Sequence, residues 1–367
     1  MDRLKDLYSA QGQSPWLDNL KRSYLTNGTL RDLVAGGVRG LTSNPTIFQK
    51  AIQGSADYDE QQTALVASGT SVIDQYWAMV LADINGALDE FASLYSGSNG
   101  GDGFVSVEVA PGLAHDSAGT EAAARELHLE IARPNLMVKI PGTAEGLPAI
   151  QQMIAEGRNI NVTLIFSLDR YQSVMDAYLD GLEEYAATEG ADLAHVASVA
   201  SFFISRVDSE VDARLTAIGT PEALALIGTA AIAQAKLAYQ AFRRTFSGPR
   251  WDALASGGAV AQRPLWASTS TKNPSFPDTL YVDQLIGPDT VNTLPDATIE
   301  AFEDHGTVAR TIDHDLEEAR GVIHVLPVVG VDLDDVGRVL EDEGVASFVK
   351  AFEELLATLT EKAKSLR

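Results

Sequence analysis

Leu136–Thr143 reads LMVKIPGT. The segment begins as an apolar strand, carries one lysine and stops at Pro-Gly. Side chains alternate across a strand, so Leu136, Val138 and Ile140 share one face while Met137 and Lys139 share the other. Burying an ammonium group without a partner costs several kcal/mol. Taken alone, Lys139 reads as a strand-end lysine whose stem is buried and whose head reaches water.

Working outward, similar short segments recur. Strand-like stretches lie at Pro15–Asn19, Val38–Asn44, Phe104–Ala110, Leu136–Ile140, Ile160–Phe166, His195–Ser201, Pro264–Thr269 and Thr290–Pro295. Helical patterns lie between most of them, at Ser71–Tyr95, Thr120–Ala132, Gly146–Glu156, Leu168–Thr188 and Pro221–Phe246. Strands alternating with helices predict a parallel sheet, and eight such units predict an α/β fold closed as a (β/α)₈ TIM barrel. An open doubly wound sheet competes, but no Gly-x-Gly-x-x-Gly follows the first strand. GSNGGDG at Gly97–Gly103 reads as a flexible loop, and Ser247–Gln262 as a long connection. The N-terminal stretch is a charged, helix-like start. The tail from Asp334 to Arg367 places Phe348, Phe352, Leu355, Leu356 and Leu359 at helical spacing. The expectation is a single barrel domain over 1–367 with added N- and C-terminal helices, 334–367 being an extension packed on the barrel.

The formal charge of −24 disfavours nucleic acid and anionic membranes as partners. Any phosphate must therefore be held by a local cationic pocket. Cysteine is absent, which removes disulfides, zinc-thiolate sites and thiol nucleophiles. The six histidines are scattered, and His128 reads as part of a solvated helix face; no metal site is expected. With no signal peptide and no membrane-length apolar run, the expectation is a cytoplasmic protein.

In FVSVEVA, Val105, Val107 and Val109 oppose Ser106 and Glu108. In INVTLIF, Ile160, Val162, Leu164 and Phe166 oppose Asn161, Thr163 and Ile165. The first strand offers Trp16 and Asp18 on one face, the second Thr42 and Asn44. Barrel strands bury both faces, so the aliphatic rows suit the helix layer and the polar rows point inward. Most polar residues lie late in their strands, where a barrel opens to its catalytic mouth. Lys139 and Glu108 could be a structural ion pair, but Asp18, Asn44, Glu108, Lys139, Asn161 and Thr163 come from five strands and together favour a catalytic cluster. A lysine shielded from water can lose its proton and attack a ketone, and the resulting iminium is an electron sink for breaking a carbon–carbon bond. Such chemistry needs carboxylates to move protons, and Asp18 and Glu108 are the candidates.

Six stretches carry a family resemblance: GLTSNPTIF at Gly40–Phe48, VSVEVAPGLAHD at Val105–Asp116, NLMVKIPGTAEGLPAI at Asn135–Ile150, INVTLIFS at Ile160–Ser167, SFFISRVDSEVD at Ser201–Asp212 and WASTSTKNP at Trp266–Pro274. In order and spacing the chain resembles the transaldolases, and within them the longer bacterial type. The resemblance implies Lys139 as the Schiff-base lysine on the fourth strand and Asp18 as the acid/base group. It implies Glu108, helped by Thr163, as the group that activates a water. Asn44, Asn161 and Ser201 would hold substrate, with Phe203 walling the pocket. Arg206 would bind phosphate, with Ser268 and Lys272 near a second phosphate contact where many members have an arginine. No cofactor is implied. The implied reaction moves a dihydroxyacetone unit from sedoheptulose 7-phosphate to glyceraldehyde 3-phosphate, in the non-oxidative pentose phosphate pathway. A Schiff-base aldolase acting on fructose 6-phosphate and a non-catalytic sugar-phosphate binder are the alternatives. The chain is expected to be a monomer or homodimer, with its C-terminal helix helping to close the mouth.

Overall fold

The computed structural model describes residues 2–365. Eight parallel strands close into a barrel in chain order. They are β1 (Gln13–Leu17), β2 (Gly40–Thr42), β3 (Phe104–Glu108), β4 (Leu136–Pro141), β5 (Ile160–Ile165), β6 (Ser198–Phe203), β7 (Arg263–Ala267) and β8 (Thr290–Leu294). Closure is made by β1 against β8, in register from Gln13 opposite Thr290 to Leu17 opposite Leu294. Every strand residue is buried except the partly buried Arg263. Burial on both faces is what makes these strands read as near-continuous apolar runs with isolated polar residues.

The interior is packed from below. Trp16, fully buried, projects into the barrel, and Gly40 leaves room for it; a Cβ on Gly40 would collide with the indole ring. The loop Gly97–Gly103, expected to be flexible, is pinned instead. Its Asp102 is buried at the N-terminal end of the barrel and accepts hydrogen bonds from Ser14 Oγ (2.7 Å), Trp16 Nε1 (3.4 Å), Arg39 Nε (2.7 Å) and Arg263 Nη2 (3.2 Å). Gly103, at a left-handed φ of 83°, leaves no space for a side chain against Tyr95 and Phe91.

Several boundaries differ from the sequence reading. β1 ends at Leu17 and Asp18 follows it. β6 is shifted toward the C-terminus, because Leu193–His195 form a 3₁₀ turn. The helix expected over Pro221–Phe246 is two helices, Pro221–Leu224 and Ala230–Thr245. Between them Gly228 takes a φ of 76° and donates its N–H to Asp212 Oδ1 at 2.9 Å. The connection Ser247–Gln262 contains the helix Pro249–Ser256, opened by a proline in its first turn. The alternation expected along β5 fails after Thr163. Leu164 has a φ of 58° and the register with β6 shifts between Val162 and Ile165, which turns Leu164 toward the C-terminal helix, where it meets Gly344. His128 is not on a solvated face: its Nε2 is buried, and burial, followed by the Arg158 charge, pushes its pKa down to about 4.

The C-terminal helix, Leu333–Ser365, buries Leu340, Phe348, Leu355 and Leu359. Phe352 meets Tyr76 edge-on at 5.0 Å between ring centroids. Arg170 Nε pairs with Glu341 at 3.1 Å, and Gln49 Nε2 donates to Glu354 at 2.7 Å. Residues 366 and 367 of the expected tail, like Met1, lie outside the described residues. No described helix is long and apolar enough to cross a membrane.

Candidate active site

Among the cavities of the described residues, one opens at each end of the barrel. The larger, about 580 Å³, lies at the N-terminal end beside Phe104, Met137 and Arg263. The smaller, about 290 Å³, lies at the C-terminal mouth. Size does not choose between them; the convergence of polar groups does. Asp18, Asn44, Lys139, Thr163, Ser201, Phe203, Arg206, Ser268 and Lys272 all line the mouth. Glu108 and Asn161 lie in the buried layer of the same strands: Glu108 stands opposite Lys139 and Lys139 opposite Asn161 across β3, β4 and β5.

Lys139 is 4% exposed and Glu108 5%. The lysine Nζ lies 3.5 Å from Glu108 Oε2 and donates to the Ser43 carbonyl at 3.2 Å. The first contact is an ion-pair distance without hydrogen-bond geometry. Both Glu108 oxygens and Thr163 Oγ1 are buried with no hydrogen-bond partner among the described residues. Such atoms occur elsewhere too, as at Tyr171 Oη and Gln62 Oε1, but here three of them belong to Glu108 and Thr163 on the strands either side of Lys139 and call for an explanation. Burial pushes the Glu108 pKa up to about 7, against the pull of Lys139 and with a smaller push from Asp18. Asp18, partly exposed to the mouth, is likewise raised by burial, while Lys139, a hydrogen bond from Thr42 and Lys272 oppose the shift. Three ionisable groups thus share one small volume, and neither carboxyl is held firmly ionised.

The remaining polar side chains orient one another. Thr42 Oγ1 donates to Asp18 Oδ1 at 2.8 Å and lies 2.6 Å from Thr293 Oγ1. Asn161 donates from Nδ2 to Ser106 Oγ at 3.0 Å and accepts from Ser201 Oγ at 2.8 Å. Asn44 caps the helix Pro45–Gln53 by accepting the Ile47 N–H at 3.0 Å, which fixes its amide group at the mouth. Thr42, Thr293 and Phe348 of the C-terminal helix also line the cavity. The two threonines follow the rule that picked the other polar strand residues. Phe348 carries no sequence signal for this place.

Arg206 stands at the start of the helix Ser205–Ile218 with its guanidinium 5.4 Å from the Phe203 ring centroid. It is not engaged by the acidic residues near it in sequence: Asp208 takes hydrogen bonds from Ala231 N–H and Tyr281, and Glu210 pairs with Arg214. Burial pushes the Arg206 pKa down, while Glu343 and Asp18 raise it. Ser268, at a φ of 58°, brings its hydroxyl 2.9 Å from Ser205 Oγ. Lys272 Nζ donates to Ser270 Oγ at 2.7 Å, and burial together with the charges of Arg206 and Lys50 pushes its pKa down. The mouth therefore holds a buried amine beside two carboxyls, with cations above it.

The model of the family described as Transaldolase/Fructose-6-phosphate aldolase matches residues 15–359. The chain belongs to that family. The match runs from β1 into the C-terminal helix, so it includes every mouth residue described above. Relatives are similar over nearly their full length. The chain is 53% identical over 364 residues to a transaldolase of Parafrankia sp. (strain EAN1pec), covering 99% of this chain and 98% of that protein. It is 52% identical over 356 residues to a transaldolase of Frankia alni, covering 96% of each. It is 50% identical over 367 residues to transaldolase 1 of Streptomyces coelicolor, covering all of this chain and 95% of that protein.

Proposed function

We propose that the chain is a transaldolase that transfers a dihydroxyacetone unit from sedoheptulose 7-phosphate to glyceraldehyde 3-phosphate, giving erythrose 4-phosphate and fructose 6-phosphate. The observation that carries this reading is Lys139 enclosed between Glu108 and Asp18 beneath a group of cations. Lys139 Nζ attacks the donor ketone and water is expelled. Glu108 and Thr163, whose polar atoms are otherwise uncommitted, handle that water in the condensation and again in the final hydrolysis. Asp18 accepts the proton of the C4 hydroxyl as the C3–C4 bond breaks, and the bonding electrons pass into the iminium to give an enamine. The enamine carbon then attacks the acceptor aldehyde, and Asp18 returns the proton to the new hydroxyl. Asn44 and Ser201, the latter oriented by Asn161, hold the hydroxyls of the three-carbon fragment. Phe203 walls the pocket. Arg206, with Ser268 and Lys272, anchors the phosphate.

The experiment is a comparison of fructose 6-phosphate alone with fructose 6-phosphate plus erythrose 4-phosphate. Transfer predicts sedoheptulose 7-phosphate formation much faster than release of free dihydroxyacetone. Equal rates of dihydroxyacetone release with and without acceptor would favour the aldolase alternative. No turnover of either mixture by folded enzyme would leave only a sugar-phosphate binder.

A further inference from the structure

Lys50 stands in the last turn of the helix Pro45–Gln53, where the helix dipole favours a cation. The helix end thus accounts for a cation at this exposed position, but not for the company it keeps. The side chain lines the mouth cavity together with Arg206 and Lys272. Lys50 follows β2, while Arg206 follows β6 and Lys272 follows β7. In an eight-stranded barrel closed in chain order, β2 and β6 face each other across the mouth. The rim cations therefore converge from opposite walls.

Acidic residues outnumber lysine and arginine 51 to 27, so counter-ions abound on this chain. Arg250, for instance, holds both Asp180 and Glu183. Lys50, Arg206 and Lys272 have no ion pair with a carboxylate among the described residues. Asp18 and Glu343 act on this group only from beyond ion-pair distance, and the charges of Arg206 and Lys50 still push down the pKa of Lys272; like charges so gathered repel one another, and a bound anion relieves that repulsion. We infer that Lys50 is a third cationic anchor for the substrate phosphate, reaching from the wall opposite Arg206; this rests on the sugar-phosphate reading above. A lysine offers a point charge rather than the two-pronged fork of an arginine. Between β7 and β8 the one cation is Lys272, and Lys50 adds a second point charge from the facing side.

The test uses Lys50→Met, Lys50→Arg and, as a control, Lys350→Met, an exposed residue on the C-terminal helix. The first readout is the ratio of kcat/KM for glyceraldehyde 3-phosphate to that for unphosphorylated glyceraldehyde as acceptor. Lys50→Met is expected to lower the ratio roughly 10- to 100-fold, the range for losing a charged hydrogen bond. Lys50→Arg is expected to restore most of it, and Lys350→Met to leave it unchanged. The second readout needs no catalysis: the rise in Tm given by inorganic phosphate is expected to be smaller in Lys50→Met than in wild type. An active wild type whose ratio survives Lys50→Met overturns the assignment. If the wild type transfers nothing, the parent reading fails by itself, and an unchanged phosphate-induced Tm rise in Lys50→Met then overturns the role of Lys50 separately.

Discussion

Two carboxylates are buried at opposite ends of the barrel, Asp102 just before β3 and Glu108 at its end. They are 1% and 5% exposed. Asp102 accepts hydrogen bonds from four side chains, two of them arginines. Glu108 accepts none and has one lysine at ion-pair distance. Burial of charge is common to both, so burial does not mark the one proposed to act on substrate. The difference lies in satisfaction. A charge whose partners are all supplied by the fold is a structural tie, and removing it strands those partners. A charge left short of partners retains the capacity to bind or move a proton.

Substitutions at each end can break that contrast. Glu108→Gln is expected to lower kcat roughly 10²- to 10⁴-fold, the range for general acid–base groups, with little loss of Tm. In wild type, kcat/KM is expected to fall as pH drops below about 7, because Glu108 acts as a base only when ionised and burial raises its pKa to about 7; the variant should lack this limb. Stability runs in the opposite sense. A carboxyl with a raised folded-state pKa stabilises the fold fully below its ordinary range, and that contribution is lost as pH rises through about 7. The Tm of Glu108→Gln relative to wild type should therefore rise between pH 5 and pH 8. A pH-independent difference would refute the shift.

Asp102→Asn probes the other end. It leaves Arg39 and Arg263 without their counter-charge and is expected to cost about 3–5 kcal/mol, read by chemical denaturation. Its kcat per folded molecule should stay near wild type. A large loss of kcat with intact stability would reverse the roles assigned to the two ends. The smallest effect is expected at the rim. Lys272→Met should raise KM for phosphorylated substrates several-fold with kcat little changed, whereas Arg206→Met should raise KM further, because Arg206 is the more enclosed cation.

The barrel was legible because its strands are short, apolar and regularly interrupted, and because their polar residues fall late. That rule alone gathers Asp18, Asn44, Glu108, Lys139, Asn161 and Thr163. It did not separate Asn161, whose hydrogen bonds tie Ser106 to Ser201, from residues that line the mouth. Asp102 was hidden by its surroundings, since glycine-rich composition reads as mobile while the glycines here allow tight packing. The break at Leu164 has no local signal: a leucine in a left-handed conformation is held by tertiary contacts with the C-terminal helix. Lys50 and Phe348 lie on helices, where inward or outward direction depends on how the helix docks. The cationic rim was therefore only half visible in sequence.

The central claim is that Lys139 forms the covalent intermediate. The most direct measurement is mass spectrometry after borohydride treatment with fructose 6-phosphate, on the intact protein and its peptides, for wild type and Lys139→Ala. The expected result is a reduced three-carbon adduct on the peptide containing Lys139 in wild type, with no adduct in the variant. A folded wild type that gains no adduct, or an adduct on another lysine that persists in Lys139→Ala, would contradict it.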